Sequence, residues 1–132
     1  MPITELQRIE RAKYIGSSDI AAILGLDRYR TAYDVYLDKA GLLESGASSE
    51  AAAIGNMIEE PLLDWGAAEL GYKIAKNVSI VHPEGILAAN LDAKALAPVD
   101  NEGLEAKTSG IVSGRAFEEW GDQGTDQVPD RV

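Results

Sequence analysis

Hydrophobic and polar positions follow helical spacing in the first half of this chain and strand-like alternation in the second half. The longest helical pattern predicts a helix from about Glu50 to Leu70, capped by Ser48 or Ser49. Pro61 lies inside this pattern and lacks an amide donor, so the helix should bend or break near Glu59 and Glu60. The residues expected on its buried face are Ile54, Met57, Ile58, Leu62, Trp65 and Ala68.

Two shorter helices are predicted upstream. The first follows an extended segment at residues 14–18 and runs from about Asp19 to Leu24, with a serine cap. The second begins at a Thr31 cap and ends near Ala40, before a glycine. The residues expected to face inward on these two helices are Ile20, Ala21, Ile23, Leu24, Val35 and Tyr36.

The second half of the chain predicts an antiparallel meander of three strands. Residues 73–81 and 86–91 flank the turn His82-Pro83-Glu84-Gly85, which is typical of a hairpin. The single histidine therefore lies in a turn, and we assign it no role. After a loop at residues 97–103 the chain returns through Glu105-Ala106-Lys107. Helices followed by a meander indicate an α/β fold of the α+β type.

The two strands that flank this last loop carry candidate chemistry. Residues two apart in a strand project from the same face, so Glu105 and Lys107 should point together. If the preceding strand pairs with this one, Asp92 lies near Glu105. Two carboxylates are hard oxygen ligands for a divalent cation, and a neighbouring lysine can orient water or offset phosphate charge. The pattern suits metal-assisted phosphodiester cleavage. Many strand edges that carry charged residues and simply face solvent show the same pattern.

Two further positions leave alternatives open. The serines at positions 17 and 18 would lie at a helix N-terminus, which can seat a phosphate with Arg11 nearby, but an ordinary N-cap is the simpler interpretation. A bend at Pro61 would turn Glu60 toward Asp92 and Glu105 as another oxygen ligand. The alternative for Glu60 is a solvent-facing helix residue.

Composition narrows the class of protein. The 132 residues are 45% hydrophobic with no apolar run long enough to span a bilayer, so we expect one domain without a membrane role. The absence of cysteine excludes disulfides and thiolate metal sites, and with no secretory signal a cytoplasmic location is the default expectation. A net charge of −10 argues against a uniformly basic DNA-coating surface. A local basic track remains in the first forty residues, formed by Arg8, Arg11, Lys13, Arg28, Arg30 and Lys39.

Several segments match a known family in order along the chain. They are Arg11 to Gly25, Tyr29-Arg30-Thr31-Ala32, Lys39-Ala40-Gly41, Gly55 to Pro61, Asn90-Leu91-Asp92 and Leu104 to Thr108. Together these segments closely resemble the YqaJ-type viral recombinases, relatives of lambda exonuclease in the PD-(D/E)XK nuclease superfamily. The resemblance implies a single domain over residues 1–132 with a restriction-endonuclease-like core. Its central mixed sheet begins as an antiparallel meander and is flanked by helices.

The resemblance also implies an activity and its residues. It implies an exonuclease that degrades duplex DNA from the 5′ end, in the 5′ to 3′ direction, with Mg²⁺ or Mn²⁺. Such an enzyme prepares single strands for phage recombination in a bacterial host. The implied partners are duplex DNA ends, a phage single-strand annealing protein and further copies of the chain in a ring. The implied metal ligands are Glu60, Asp92, Glu105 and the Ala106 carbonyl, with Asp92, Glu105 and Lys107 catalytic, Lys107 positioning the attacking water, and Arg11 and Ser18 holding the 5′ phosphate.

The chain departs from the family pattern at two places. The family aspartate usually lies in a Pro-Asp-Gly-like context, whereas here it is Leu91-Asp92-Ala93, which should change only local turn geometry. The family also continues beyond the stretch ending at Pro129 into a helix with a site glutamine, and neither Gln123 nor Gln127 takes that place. We therefore expect a domain whose C-terminal helix region is missing.

Three hypotheses follow from these observations. The chain is an active nuclease domain, or a catalytically silent remnant that binds DNA ends, or a structural or partner-binding protein whose acidic cluster is a solvated face. The first requires metal-dependent cleavage. The second predicts cleavage only after a family-like C-terminal helix is supplied, and the third predicts neither end-specific DNA binding nor stabilisation by a metal.

Overall fold

The computed structural model describes residues 4–43, 49–108, 118–130 and 132. Outside these ranges lie Ser48 and most of the loop that the sequence predicts before the long helix. The sequence also predicts an amphipathic stretch at residues 115–120, and its first part lies outside them too. In chain order the elements are α1 (Glu5–Arg11), β1 (Ile15–Gly16), α2 (Ser17–Ile23), α3 (Ala32–Lys39), α4 (Glu50–Leu70), β2 (Lys73–Val81), β3 (Leu87–Ala97) and β4 (Gly103–Leu104).

The sheet is built around β3, which has a neighbour on each edge. The strand β2 pairs with it in antiparallel fashion along one edge, and the predicted turn at residues 82–85 connects the two, with β3 beginning at Leu87 instead of residue 86. Along the other edge lie two short strands, β1 parallel to β3 at Leu87 and Ala88, and β4 antiparallel to it at Ala93 and Lys94. This mixed four-stranded sheet with flanking helices is the predicted α/β architecture and agrees with a restriction-endonuclease-like core.

Local capping explains where the helices begin. Thr31 and Ser49 accept hydrogen bonds from the first-turn amides of α3 and α4, as predicted. The helix α2 differs from the prediction: it begins at Ser17 after a Gly16 N-cap, and the Asp19 carboxylate accepts the Gly16 amide. The helix α1 was not predicted; a capping box between Thr4 and Gln7 starts it.

The long helix α4 has the predicted bounds, but its predicted buried face is wrong. Of the bend or break predicted near Glu59 and Glu60, the break is excluded, since α4 continues through Pro61. Met57, one turn back, is exposed, so water can satisfy the carbonyl that proline leaves without a donor. The buried residues of α4 are Leu63 and Ala67, whereas most of the predicted apolar face is exposed: Ile54, Met57, Ile58, Trp65 and Ala68.

The same correction holds for the two shorter helices. Ala21, Ala22 and Val35 form their buried side, while Ile20, Ile23, Leu24 and Tyr36 are exposed. The sheet shows why small residues are buried, because Ala93 and Ala95 on one face of β3 are fully covered. Lys76 lies opposite Ala93 in the β2–β3 register and binds Asp64 of α4 at 2.7 Å, so an ion pair links α4 to this strand of the sheet.

The strands also correct the predicted limits around the candidate chemistry. Asp92 was expected at the end of a strand, but β3 continues through it to Ala97. The returning strand β4 is shorter than expected, so Glu105-Ala106-Lys107 follow it instead of forming part of it. Asp92 therefore lies between the position where β1 leaves the edge of β3 and the position where β4 joins it.

Candidate active site

The gap along β3 brings the predicted carboxylates together. Because Ala93 pairs with Leu104, extending the register places Asp92 opposite Glu105 on the same face, as expected if these segments pair. The Asp92 Oδ2 atom accepts the Ala106 amide at 2.8 Å. The Lys107 Nζ atom lies 2.6 Å from Glu105 Oε1, with both side chains nearly half exposed. Asp92 thus anchors the backbone that carries the Glu-x-Lys pair.

A cavity of about 840 Å³ opens over this gap. Its walls come from α1, the β1–α2 junction, α4, the middle of β2 and β3, and the segment after β4. The predicted site residues that line it are Arg11, Ser18, Asp92, Glu105 and Lys107. Residues from distant parts of the sequence therefore share one solvent-accessible chamber.

The two adjacent glutamates of α4 occupy different surroundings. Glu59 lines the cavity together with Asn56, which lies three residues earlier and so on the same side of the helix. Glu60 is not among the lining residues. It lies close enough to Lys76 of β2 to raise the pKa of that lysine, together with the larger effect of the Asp64 hydrogen bond. Glu59, not the sequence candidate Glu60, therefore faces the chamber that holds Asp92 and Glu105.

The N-terminal wall is held by a buried carboxylate, Asp19. It accepts hydrogen bonds from the Gly16 amide at 2.8 Å and from the Arg30 guanidinium at 2.9 Å, and pairs with Lys39 Nζ at 2.9 Å. Burial raises the pKa of Asp19, but the hydrogen bonds from Lys39, Gly16 and Arg30 outweigh it and keep the pKa below its ordinary value. Two members of the basic track are thus structural partners of Asp19, while Arg8 and Arg11 line the cavity.

The sequence interpretation missed a row of neutral polar residues on the opposite wall. Asn77, Ser79 and Asn90 line the cavity beside Asp92, and the Ser79 hydroxyl donates to Asn90 Oδ1 at 2.6 Å. Asn77 has a φ of 55° within β2, a conformation that asparagine tolerates better than most residues. Alternation in β2 and β3 was the available signal, since polar residues recur every second position on the face that carries Asp92.

The donor chemistry fits a hard divalent cation. The carboxylates facing the chamber near Asp92 are Glu59 and Glu105, the Ala106 carbonyl is adjacent, and Lys107 supplies a positive charge. In the described part of the chain, no three or more Asp, Glu, His or Cys side chains are grouped closely enough to form a ready-made site. A cation at Glu105 would compete with Lys107 for the same carboxylate.

Comparison with known proteins is consistent with this geometry. The family model described as YqaJ-like viral recombinase domain matches residues 9–132. A curated relative from Bacillus subtilis (strain 168), named uncharacterized protein YqaJ, is 35% identical over 118 residues. The match covers 87% of this chain but only 35% of the length of that relative. Among the described helices, none has the combination of length and apolar content needed to cross a membrane.

Proposed function

Because this chain belongs to the YqaJ-like viral recombinase family, we propose that it acts in phage-type recombination as a Mg²⁺-dependent exonuclease on duplex DNA ends. One observation carries the proposal: Arg11, Ser18, Asp92, Glu105 and Lys107, which the family resemblance names for different tasks, line one cavity. The net charge of −10 does not oppose it, because Arg8 and Arg11 place positive charge on one wall of this cavity whatever the charge of the whole chain.

The oxygen ligands proposed for the cation are Asp92, Glu105, the Ala106 carbonyl and Glu59. Bound there, Mg²⁺ or Mn²⁺ supplies a Lewis acid that lowers the pKa of water and offsets charge on the scissile phosphate. Glu59 replaces Glu60 in this set because only Glu59 lines the cavity. Asp92 has a second task, since its bond to the Ala106 amide holds the backbone between Glu105 and Lys107.

The remaining residues handle water and substrate. The Lys107 ammonium, 2.6 Å from Glu105, holds the attacking water beside that carboxylate and donates to a phosphate oxygen. Arg11 and Ser18, on the other wall, hold the terminal 5′ phosphate, which sets the direction of digestion as 5′ to 3′. A phage annealing protein and further copies of this chain in a ring, in the cytoplasm of a bacterial host, complete the proposal at the level of family analogy.

The two adjacent glutamates provide the test. We expect Glu59→Gln to abolish Mg²⁺-dependent release of mononucleotides from linear duplex DNA with 5′ phosphates, while Glu60→Gln releases them at nearly the wild-type rate. Each substitution removes one charge from the same turn of α4, so charge and helix propensity are matched. Equal loss in both variants, or loss in Glu60→Gln alone, would remove Glu59 from the ligand set. A wild-type chain whose release does not depend on Mg²⁺ would refute the reaction itself.

A second candidate function is DNA-end binding without cleavage. It is favoured by the ion pair between Lys107 and Glu105, which at 2.6 Å occupies the carboxylate that a cation would need. In that case the chain binds duplex ends with a 5′ phosphate, shows no release with Mg²⁺, and binds equally well in Glu59→Gln and Glu60→Gln.

A further inference from the structure

Asp19 is 3% exposed, the one buried charged residue in the described part of the chain. The proposed cleavage does not use it. Its two oxygens are fully engaged: Oδ1 accepts from Arg30, and Oδ2 takes both the Gly16 amide and the Lys39 ammonium. A buried carboxylate is costly unless it is paired and hydrogen-bonded, so these contacts determine whether the local structure is stable.

Lys39 extends this arrangement to the end of α1. Its Nζ atom donates to the Arg11 carbonyl at 3.0 Å, while the same atom lies 2.9 Å from Asp19 Oδ2. A continuous series of contacts therefore runs from the Arg11 carbonyl through Lys39 and Asp19 to the Gly16 amide. One end belongs to the cavity residue Arg11, and the other belongs to Gly16, which lines the cavity two residues before Ser18.

The geometry leaves few other ways to hold these two segments together. The strand β1 has two residues, and α1 contains no buried side chain. The C-terminal end of α1 therefore has little apolar burial to fix its distance from the start of α2. Arg30 strengthens the carboxylate end, because its second nitrogen bonds Asp38 at 3.3 Å and so ties Asp19 to the exposed side of α3.

We infer that Asp19 and Lys39 are positioning residues, which set the spacing between Arg11 and Ser18 and thereby the affinity of the cavity for a terminal 5′ phosphate. The inference rests on the proposed function, since it takes Arg11 and Ser18 as the phosphate-binding pair. Neither Asp19 nor Lys39 lines the cavity. Their effect on the phosphate is exerted through the backbone of the residues they hold.

The chain offers a matched control for a merely structural role. Lys76 forms a pair with Asp64 at 2.7 Å, similar in length to the Lys39–Asp19 pair, but it links α4 to β2 and contacts neither Arg11 nor Ser18. A substitution at Lys76 therefore removes a lysine–aspartate pair between two elements without changing the wall of the cavity that carries the arginine.

The experiment measures binding of duplex DNA with either a 5′ phosphate or a 5′ hydroxyl, by fluorescence anisotropy in EDTA so that no cleavage occurs. The variants are Lys39→Met and Asp19→Asn, with Lys76→Met and Asp64→Asn as controls. Circular dichroism and urea unfolding verify that each variant is folded. The quantity of interest is the ratio of the two dissociation constants, which general destabilisation of the fold does not change.

We expect the wild-type chain to prefer the 5′ phosphate and Lys39→Met and Asp19→Asn to reduce that preference about tenfold, as loss of a charge-assisted bond would. Lys76→Met and Asp64→Asn should keep the preference. If folded Lys39→Met and Asp19→Asn keep it within about twofold, the positioning role is wrong while the phosphate site stands. A wild-type chain without any preference would instead refute the phosphate role of Arg11 and Ser18, and the inference with it.

Discussion

Two substitutions of Asp92 separate its contribution to the stability of the fold from its proposed contribution to the reaction. The paired segment between β3 and β4 comprises two residue pairs, with one further backbone bond from the Ala95 amide to the Glu102 carbonyl. The bond from the Ala106 amide to Asp92 is what extends this connection to the Glu-x-Lys segment. Asparagine at position 92 retains an oxygen acceptor for that amide, whereas alanine retains none.

The two variants should therefore differ in stability and agree in activity. Asp92→Ala loses a hydrogen bond to a charged acceptor and leaves a part-buried amide unpaired, which costs about 2 kcal/mol. Asp92→Asn exchanges a charged acceptor for a neutral one, which costs about 0.5–1 kcal/mol. For a chain of this size these losses correspond to midpoint shifts of about 8 °C and about 3 °C. Both variants should lose Mg²⁺-dependent nucleotide release, because neither presents a carboxylate at this position.

Thermal unfolding followed by circular dichroism measures the first difference, and release of mononucleotides measures the second. Asp100→Ala is the control, since this exposed aspartate lies on the β3–β4 connection and should leave both readouts unchanged. Equal midpoints for Asp92→Ala and Asp92→Asn would show that the bond to the Ala106 amide contributes nothing to stability. Full activity of Asp92→Asn would refute the proposed use of its carboxylate.

Three further changes test other parts of the structure. Lys107→Ala should abolish cleavage but lower the free energy of unfolding, measured with urea, by at most about 1 kcal/mol, because its ion pair is nearly half exposed. The pKa of Asp19 is lowered in the folded chain, so its ionised form stabilises the fold fully above pH about 4, and this stabilisation is lost as the pH falls through the folded-state pKa. The urea midpoints of wild type and Asp19→Asn should therefore converge below pH about 4. A difference that stays constant with pH would contradict this assignment. Gly121→Ala should lower the melting temperature more than Gly124→Ala. Both glycines have a positive φ, but only alanine at position 121 would place a Cβ atom 2.8 Å from Gln127 Cβ. Equal shifts in melting temperature would show that the crowding against Gln127 is relieved.

The elements that could be predicted from sequence are those with a local physical signal. Ser49 and Thr31 begin helices because their hydroxyls satisfy first-turn amides, and Gly71 ends α4 because it adopts a positive φ. The adjacency of Asp92 and Glu105 was also predictable, because a short loop between two alternating segments requires antiparallel pairing.

The buried side of α4 could not be predicted by the same means. Apolar residues occur all around this helix, so periodicity alone does not select a face. The selection depends on tertiary contacts, which the pattern of this helix does not contain. Leu63 and Ala67, one turn apart, take the buried positions, and larger side chains such as Trp65 remain exposed.

The choice between Glu59 and Glu60 depended on the same missing information. Adjacent residues on a helix point about 100° apart, so a prediction that cannot orient the helix cannot decide between them. A bend at Pro61 favoured Glu60 in the sequence interpretation, whereas in the continuous helix Glu59 is the residue that lines the cavity. The ion pair of Lys76 in β2 with Asp64 in α4 is one such tertiary contact, which helical periodicity does not predict.

The candidate site depends on two short connections to the edge of β3, here called joints, that are held by the same kind of hydrogen bond. The strands β1 and β4 each have two residues, and each lies next to a carboxylate that accepts a backbone amide: Asp19 for Gly16, and Asp92 for Ala106. Two-residue strands contribute little pairing energy, so these carboxylates determine how closely the two walls approach across the open edge of β3. One joint carries the proposed phosphate-binding pair and the other carries the Glu-x-Lys pair. The distance between the DNA end and the scissile phosphate would then be set by Asp19 and Asp92 together, although only Asp92 faces the cavity.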